Sequence, residues 1–367
     1  VLLFETVTQG CPAERPAKPN SHYIMSLLPY LHRVSERSSL SSAEAQHAME
    51  SILSGQASAA QIAGFLVALR MKGETVEELV GFARAMRRMA VPVDPALGGE
   101  TLLDTCGTGG DARFTFNIST VAAFVAAGAG VRVAKHGNRS ISSQCGSADL
   151  LESLGIRVPL EPSEAARAIR EVGIGFLFAP SLHTAIKYAQ PVRLELKMRT
   201  VFNLLGPLTN PAGASAQLVG APSPHAAELM AGALAELQLE RGFVVHGSDG
   251  LDEITTTGPT LAFEIRERQV IRRTLEPADF GVSPSRAEDL RGGARETNCA
   301  IARAVLEGRP GPQRDIVLVN ASAALVAAGK ASDFREGMRL AARSVDSGAA
   351  LRKVELLAAF TCPAAAP

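Results

Sequence analysis

Three loops concentrate the side chains that could do chemistry. In the first, DTCGTGGDARFTFNIST at residues 104–120, Gly107, Gly109 and Gly110 fall within four positions. The chain then runs through Asn117 and Ser119 into a helical stretch beginning near Thr120. Glycine permits positive φ and lets a ligand approach the main chain. A helix N-terminus offers unpaired N–H groups and a partial positive charge. Strand end, glycine loop and helix start together make a cradle for an anion, above all a phosphate. The glycines alone fit a ligand-free tight turn equally well. No GK[ST] ends the loop and the GxGxxG order is missing, which sets aside a P-loop and a dinucleotide fold.

The second loop is AKHGNRSISSQCGSAD, residues 134–149. Lys135 follows the apolar VRV, so it sits at the carboxyl end of a strand, where open α/β sheets place ligands. His136, Asn138, Arg139, Ser140, Ser142, Ser143 and Ser147 crowd donors beside it. Such a loop is either solvated or, if buried, in need of partners that an anionic ligand would supply. The third, VHGSDGLDEITTTG at residues 245–258, sets Asp249, Asp252 and Glu253 just after RGFVV. Its carboxylates fit a hairpin facing water, and they equally fit Mg²⁺, which takes oxygen ligands from one or two carboxylates plus substrate phosphates. A fourth segment, PVRLELKMRTVFNLLGPLTNPAG at residues 191–213, carries Arg193 and Arg199, six apart and so on different helical faces. One guanidinium is suited to a substrate carboxylate in bidentate fashion; a structural partner such as Glu195 is as consistent with the pattern.

These loops need a scaffold. Residues 25–89 read as four helices: Leu27, Leu28, Leu31 and Val34 recur at helical spacing, AEAQHAMESILSG follows Ser42, Ser58 opens AAQIAGFLVALRMKG and Thr75 opens VEELVGFARAMRRMA. VPVDPALGGE is a linker. From residue 102 short strands (TLLDTCG, VRVAKHG, IRVPL, GIGFLFAP, AQLVGAP, RGFVVHG, EITTTG) alternate with helices (STVAAFVAAGAG, DLLESLG, HAAELMAGALAELQ and SEAARAIREVG, with Ser163 as N-cap). The alternation predicts an α/β sheet with helices on its faces. Residues 182–205 are helical, interrupt that alternation and are free to pack with the N-terminal helices.

Composition narrows the class. With 46% hydrophobic and 20% charged residues the chain reads as globular. Its formal net charge of zero argues against non-specific nucleic-acid binding. Five cysteines without a CxxC pair fit neither a disulfide framework nor a zinc site, and point to a reducing compartment. No apolar run reaches the roughly 18–20 residues of a membrane span. The opening VLLFETVTQG has too short an apolar part, and no basic stretch before it, for a signal peptide. Residues 1–24 are expected to form a poorly ordered extension.

GTGGD, NIST, KHGNRSISS, GSAD, FNLLGPLTNPA and GLDE, in this order, with ALRMKGET upstream and RDIVLVNASAAL and DSGAAL downstream, resemble the anthranilate phosphoribosyltransferases over residues 25–360. The resemblance implies a small all-helical domain (residues 25–93, completed by helices near 185–207). It sits on a large α/β domain (residues 100–184 and 208–367) with a central, mostly parallel sheet, and the active site lies in the hinge cleft. It implies transfer of the phosphoribosyl group of PRPP (phosphoribosyl pyrophosphate) to anthranilate in tryptophan biosynthesis. It also implies two Mg²⁺ ions per site, a homodimer paired through the small domain, a cytoplasmic setting and a separate glutamine amidotransferase as a possible associate; neither nucleic acid nor membrane is a partner. Carried over residue by residue, Gly107, Gly110, Asp111, Thr115, Asn117, Ser119, Thr120, Lys135 and Ser147 should hold PRPP. Ser119, Asp252 and Glu253 should hold the metal, and Gly107, His136, Asn138, Arg193, Gly206 and Pro207 should line the anthranilate pocket. Lys135 would stabilise the departing pyrophosphate. His136 is available to take the amine proton but fits a packing role as well, and no general base is obligatory. The chain departs from the family at Cys106 (usually aliphatic), Gln144 (often Lys), Lys197 (commonly Gly) and in GGARETNCA. Two rivals stand beside this reading: a pyrimidine nucleoside phosphorylase-like enzyme, against which KHGN and GLDE speak, and a non-catalytic nucleic-acid-binding homologue, against which net charge speaks.

Overall fold

The computed structural model describes residues 26–109, 113–139 and 144–362. The expected extension at residues 1–24 lies outside them. Four helices open the described chain: α1 (Leu28–Ser35), α2 (Ser42–Leu53), α3 (Ala59–Lys72) and α4 (Val76–Met89). Three of them begin on a capping box. Ser41, Ser58 and Thr75 accept from the backbone three residues on, and Glu44, Gln61 and Glu78 reach back to the cap. Glu78 is fully buried and does more. Its carboxylate accepts from the N–H groups of Leu40 and Thr75, both at 2.9 Å, and from the Lys72 ammonium at 3.0 Å, joining the α1–α2 connection, the end of α3 and the start of α4.

Seven strands follow: β1 (Leu102–Gly107), β2 (Arg132–Gly137), β3 (Ile174–Phe178), β4 (Ala216–Gly220), β5 (Arg241–Gly247), β6 (Thr260–Arg266) and β7 (Gln269–Leu275). They form one sheet in the order β3-β2-β1-β4-β5-β6-β7. The first five strands run parallel, and β6 and β7 are antiparallel additions. Strand order reverses between β1 and β4, so a crevice opens at their carboxyl ends. Alternate side chains face opposite layers. Leu218 and Val245 join Phe124 of α5 (Ile118–Gly128) and Val319 of the helix Pro312–Ala327. Val219 and Val244 join Met230 of the helix Pro224–Glu236 and, through it, Phe65 and Phe82 of the N-terminal helices. The apolar core of the helical bundle is thus continuous with one face of the sheet.

Residues 184–208 form short helical pieces, including Gln190–Leu196 and Phe202–Leu205. Ala189, Val192, Phe202 and Leu205 lie in the same apolar cluster as α3 and α4. Arg87 of α4 donates to the Leu208 carbonyl at 2.8 Å.

Three local expectations are corrected. IRVPL is not a strand: Pro159 has no N–H for a ladder, and the N–H of Arg157 goes to the Thr361 hydroxyl at 3.1 Å. EITTTG is a side-chain-bonded turn, in which the Thr255 and Thr257 hydroxyls both donate to Asp249 Oδ2 at 2.6 Å; such local bonds compete with a ladder. The strands there are β6 and β7. The helix assigned to Ser163 begins earlier, at Pro162, with Glu161 as cap and Glu164 reaching back to its N–H at 3.1 Å, because proline suits the first helical position. Among the described residues no helix is long and apolar enough to cross a membrane.

Glu78→Ala strands the Lys72 ammonium, whose side chain is only 5% exposed, without its carboxylate. A loss of about 3 kcal/mol is expected, seen as a lower urea midpoint; an unchanged midpoint would remove Glu78 from this role.

Candidate active site

The glycine loop leaves the carboxyl end of β1, next to the end of β4. The loop after β5 lies directly across both ends. A Cβ on Gly220 would meet the Asp252 carbonyl oxygen at 1.6 Å, and one on Gly107 would meet Asp252 Oδ2 at 2.6 Å. Only glycines at these two positions allow the crossing. Asp252 Oδ2 accepts from the Gly109 N–H at 2.8 Å and Glu253 Oε1 from the Ser119 N–H at 3.1 Å. Both carboxylates therefore engage the glycine loop and the first turn of α5, and the simple solvent-facing hairpin is not what forms. Asn320, fully buried, clamps the loop by donating to the Ile254 carbonyl (2.9 Å) and accepting from its N–H (3.0 Å).

Lys135, near the end of β2, is buried. Its ammonium donates to the Thr105 carbonyl and to Ser119 Oγ at 3.4 Å. Burial lowers its pKa, opposed by Asp104, Cys106, Glu253 and Asp252. Asp104, fully buried on β1, accepts from the His136 N–H (3.1 Å) and from Asn210 Nδ2 (2.8 Å), and Asn210 also donates to the Ala134 carbonyl at 2.9 Å. Burial raises the Asp104 pKa, and Lys135 and Asn210 pull it back. Cys106 packs in the apolar cluster with its thiol pushed up by burial and Asp104.

Ser147 Oγ accepts from the Asn138 N–H (3.2 Å) and donates to its carbonyl (3.0 Å), closing the neck of the cationic loop. Arg139 is not held for a ligand: with Arg295 it pairs to Asp149 and Glu152 at 2.5–3.2 Å. Thr115 bridges to Arg291, Thr120 is buried in α5, and Asn117 precedes that helix. A cavity of about 270 Å³ opens beside them, lined by Phe114, Thr115, Gln144, Cys145, Arg291 and Asn298 among others. Gly110 and Asp111 lie outside the described residues, as do Ser140, Ser142 and Ser143.

His136, next to Lys135 on β2, meets the helical interruption that carries Arg193, Gly206 and Pro207. His136 Nδ1 meets the Gly206 carbonyl at 3.2 Å, and the Pro207 carbonyl accepts from Gln217 at 2.9 Å. Arg193 is half-buried, lies 5.1 Å over the Phe202 ring and donates to Gln190 at 3.3 Å. It forms no ion pair with Glu195 or any other carboxylate among the described residues, and burial lowers its pKa. Arg199 instead reaches the Gly109 carbonyl at 2.7 Å. Lys197 adopts a left-handed conformation, φ +46°, at the C-cap of its helix, which explains why glycine suits that position.

Three residues that sequence reasoning passed over belong to the site. Asp104 and Asn210 sit in the quoted DTCG and TNPAG, but only the fold reveals that they meet. His183 lies beside His136, ring centroids 5.2 Å apart and planes tilted by 53°, and among the described residues neither Nε2 atom has a hydrogen-bond partner.

The two layers correspond to two known domains. Residues 28–90 match the helical bundle domain of the glycosyl transferase family, and residues 99–351 match its a/b domain. Fold and site thus define a two-part glycosyl transferase. Within that class the chain belongs to the anthranilate phosphoribosyltransferase family. The anthranilate phosphoribosyltransferase of Solibacter usitatus (strain Ellin6076) is 71% identical over 336 residues, which is 92% of this chain and 99% of that one. The crystal structure of the Thermus thermophilus enzyme superposes with a TM-score of 0.85 at 44% identity, over 90% of this chain and 98% of its own. The Saccharomyces cerevisiae enzyme in complex with PRPP and Mg gives 0.84 at 29% identity, over 92% and 99%. Neither rival reading gains support from these matches.

Burial pushes the His136 imidazole down to about 3, helped by His183, and pushes His183 down to about 4. Both rings stay neutral in the fold at pH 5, whereas an unfolded chain takes up protons below about 6.5. Their stabilising contribution is therefore complete above about pH 6.5 and is lost as pH falls toward the folded values, by about 2 kcal/mol per ring at pH 5. Urea midpoints at pH 7 and pH 5 should converge in His183→Gln relative to wild type; an equal acid loss in both would refute the assignment.

Proposed function

We propose that this chain transfers the 5-phosphoribosyl group of PRPP to the amine of anthranilate, releasing pyrophosphate and forming N-(5-phosphoribosyl)anthranilate in tryptophan biosynthesis. The observation that carries this reading is a buried lysine bonded to the end of β1 and the first turn of α5, where the glycine-loop phosphate cradle ends, beside an acidic pair; Arg193 pairs with no carboxylate among the described residues. Anionic, phosphorylated substrate suits Lys135, the Ser119 hydroxyl and the N-terminus of α5. A substrate carboxylate suits Arg193.

In this reading Thr115, Asn117, Ser119, Thr120, Lys135 and Ser147 hold PRPP, with Gly107, Gly110 and Asp111 of the glycine loop. Gly107, His136, Asn138, Arg193, Gly206 and Pro207 border anthranilate. The bond from ribose C1 to the pyrophosphate oxygen breaks, a bond from C1 to the amine nitrogen forms, and the amine gives up a proton. The transition state has oxocarbenium character, as in glycosyl transfer generally. Lys135 stabilises charge on the leaving group from a dry, fixed position. The aromatic amine needs placement more than activation. His136, held neutral, can accept a proton at Nε2, which has no other partner among the described residues.

The oxygens of Ser119, Asp252 and Glu253 fit magnesium, which the yeast relative binds with PRPP. Magnesium is commonly held by one or two carboxylates with its shell finished by substrate phosphates. We assign two ions, one at Ser119 and one at Asp252–Glu253. When bound they neutralise pyrophosphate charge. We further propose a homodimer paired through the helical unit, whose Leu28, Met71 and Leu194 are exposed at 42%, 70% and 59%. A cytoplasmic location and an associating glutamine amidotransferase belong to the same biosynthetic reading.

Loss of anthranilate fluorescence on adding PRPP and Mg²⁺, halted by EDTA, tests the function. Phosphate-dependent cleavage of thymidine in its place would move the chain to the phosphorylases. Arg193→Ala should raise the anthranilate KM about tenfold or more while the PRPP KM stays nearly unchanged. Equal effects on both would take Arg193 out of the anthranilate pocket.

A further inference from the structure

The segment GGARETNCA, an unusual version of the family's stretch, packs under the phosphate cradle. The Gly292 N–H donates to the Phe114 carbonyl at 2.8 Å, and Thr115 pairs antiparallel with Arg291. A Cβ on Gly292 would meet Asn298 Oδ1 at 2.6 Å and the Phe116 nitrogen at 2.7 Å, so the approach is as close as a backbone allows. Asn298, only 3% exposed in the helix Arg295–Leu306, lies at the centre of this contact. Its Oδ1 accepts from the Gly293 N–H at 2.8 Å and its Nδ2 donates to Asn117 Oδ1 at 3.1 Å. Asn117 Nδ2 in turn donates to the Cys145 carbonyl at 3.1 Å.

This chain of bonds has only one possible polarity. It begins at a backbone N–H, which can only donate, and ends at a backbone carbonyl, which can only accept. Two side-chain amides lie between them, each of which could otherwise sit either way round. The Gly293 N–H orients Asn298, Asn298 orients Asn117, and Asn117 ties the start of α5 to the neck of the Lys135 loop. Both loops that the proposed function assigns to PRPP are thereby held at a fixed separation. We propose that Asn298 is a positioning residue for PRPP: it sets the orientation of Asn117 and, through it, the spacing of the glycine cradle and the cationic loop. The inference rests on the phosphoribosyl-transfer reading.

Kinetics of Asn298→Ala and Asn298→Asp test it. Aspartate keeps the size and the bond to Gly293 but turns an acceptor toward Asn117 Oδ1. A merely structural role ranks alanine as the worse change, since it loses volume. The polarity chain ranks aspartate as the worse. We expect the PRPP KM to rise about tenfold in Asn298→Ala and further in Asn298→Asp, with the anthranilate KM within about twofold of wild type. Asn117→Ala combined with Asn298→Ala should show the PRPP KM of Asn117→Ala alone, because the second change acts through the first. Multiplied effects in the double variant, or an unaltered PRPP KM in the single ones, would overturn the role. Melting curves establish that each variant is folded; should the aspartate variant fail to fold, the alanine pair still decides. A wild-type chain that consumes no PRPP would overturn the functional reading and this inference with it, whereas wild-type turnover with an unaffected Asn298→Ala variant overturns this inference alone.

Discussion

A buried ammonium organises this molecule. Removing a lysine head group from water costs several kcal/mol unless opposite charge and hydrogen bonds replace the lost hydration. Lys135 finds these in the Thr105 carbonyl, in Ser119 and in the field of Asp104, Asp252 and Glu253. These groups come from separate stretches of chain, so stabilising one charge requires the strand β1, the start of α5, the acidic loop and the lysine's own strand to converge. Asp104 then extends the demand to Asn210 and, through the His136 N–H, back to β2. A charge placed at this point is also where the leaving pyrophosphate of the proposed reaction would need it.

The sheet makes such convergence inexpensive. The reversal of strand order between β1 and β4 leaves a crevice at their ends, and the loops after β1, β2 and β5 all emerge there. Glycines at 107 and 220 then let the acidic loop lie on the strand ends at contact distance. Beneath them, alternate side chains of β4 and β5 feed two apolar layers, so the platform is rigid on both faces.

Much of this was legible from residue order. The N-terminal helices announce themselves through apolar spacing, the third and fourth also through their caps Ser58 and Thr75, and the parallel strands through apolar runs buried on both faces. What stayed hidden depended on contacts distant in sequence. β7 is exposed along nearly its whole length, so QVIRRTL lacks an apolar face to reveal it as a strand. EITTTG has β-branched residues in plenty, yet the Thr255 and Thr257 hydroxyls turn to Asp249 and that of Thr256 to Ser285. Glycines, Lys135 and the Asp252–Glu253 pair could be singled out by residue type. Asp104, Asn210, His183 and Asn320 could not, because an isolated polar residue in an apolar stretch declares its value only when its partner is known.

The shared core also limits how the cleft can work. Arg193 and Gly206 belong to helical pieces packed against α3 and α4, with Arg199 on the link between them, while the glycine and lysine loops ride on the sheet. Bringing two substrates together by swinging the whole bundle would pull α4 away from the helix Pro224–Glu236, on which Val76 packs at Gly232, exposing apolar surface at about 25 cal/mol per Å². The ties across the boundary at the cleft include polar ones: Arg199 to the Gly109 carbonyl, His136 to the Gly206 carbonyl and Gln217 to the Pro207 carbonyl. Polar bonds at a wet cleft can be exchanged for bonds to substrate at little net cost, whereas a buried apolar layer has no such replacement. The short helical interruption, which carries Arg193 and touches both loops through Arg199 and Gly206, can therefore trade its polar ties for substrate at lower cost than the apolar layer between α4 and the helix Pro224–Glu236 could be opened.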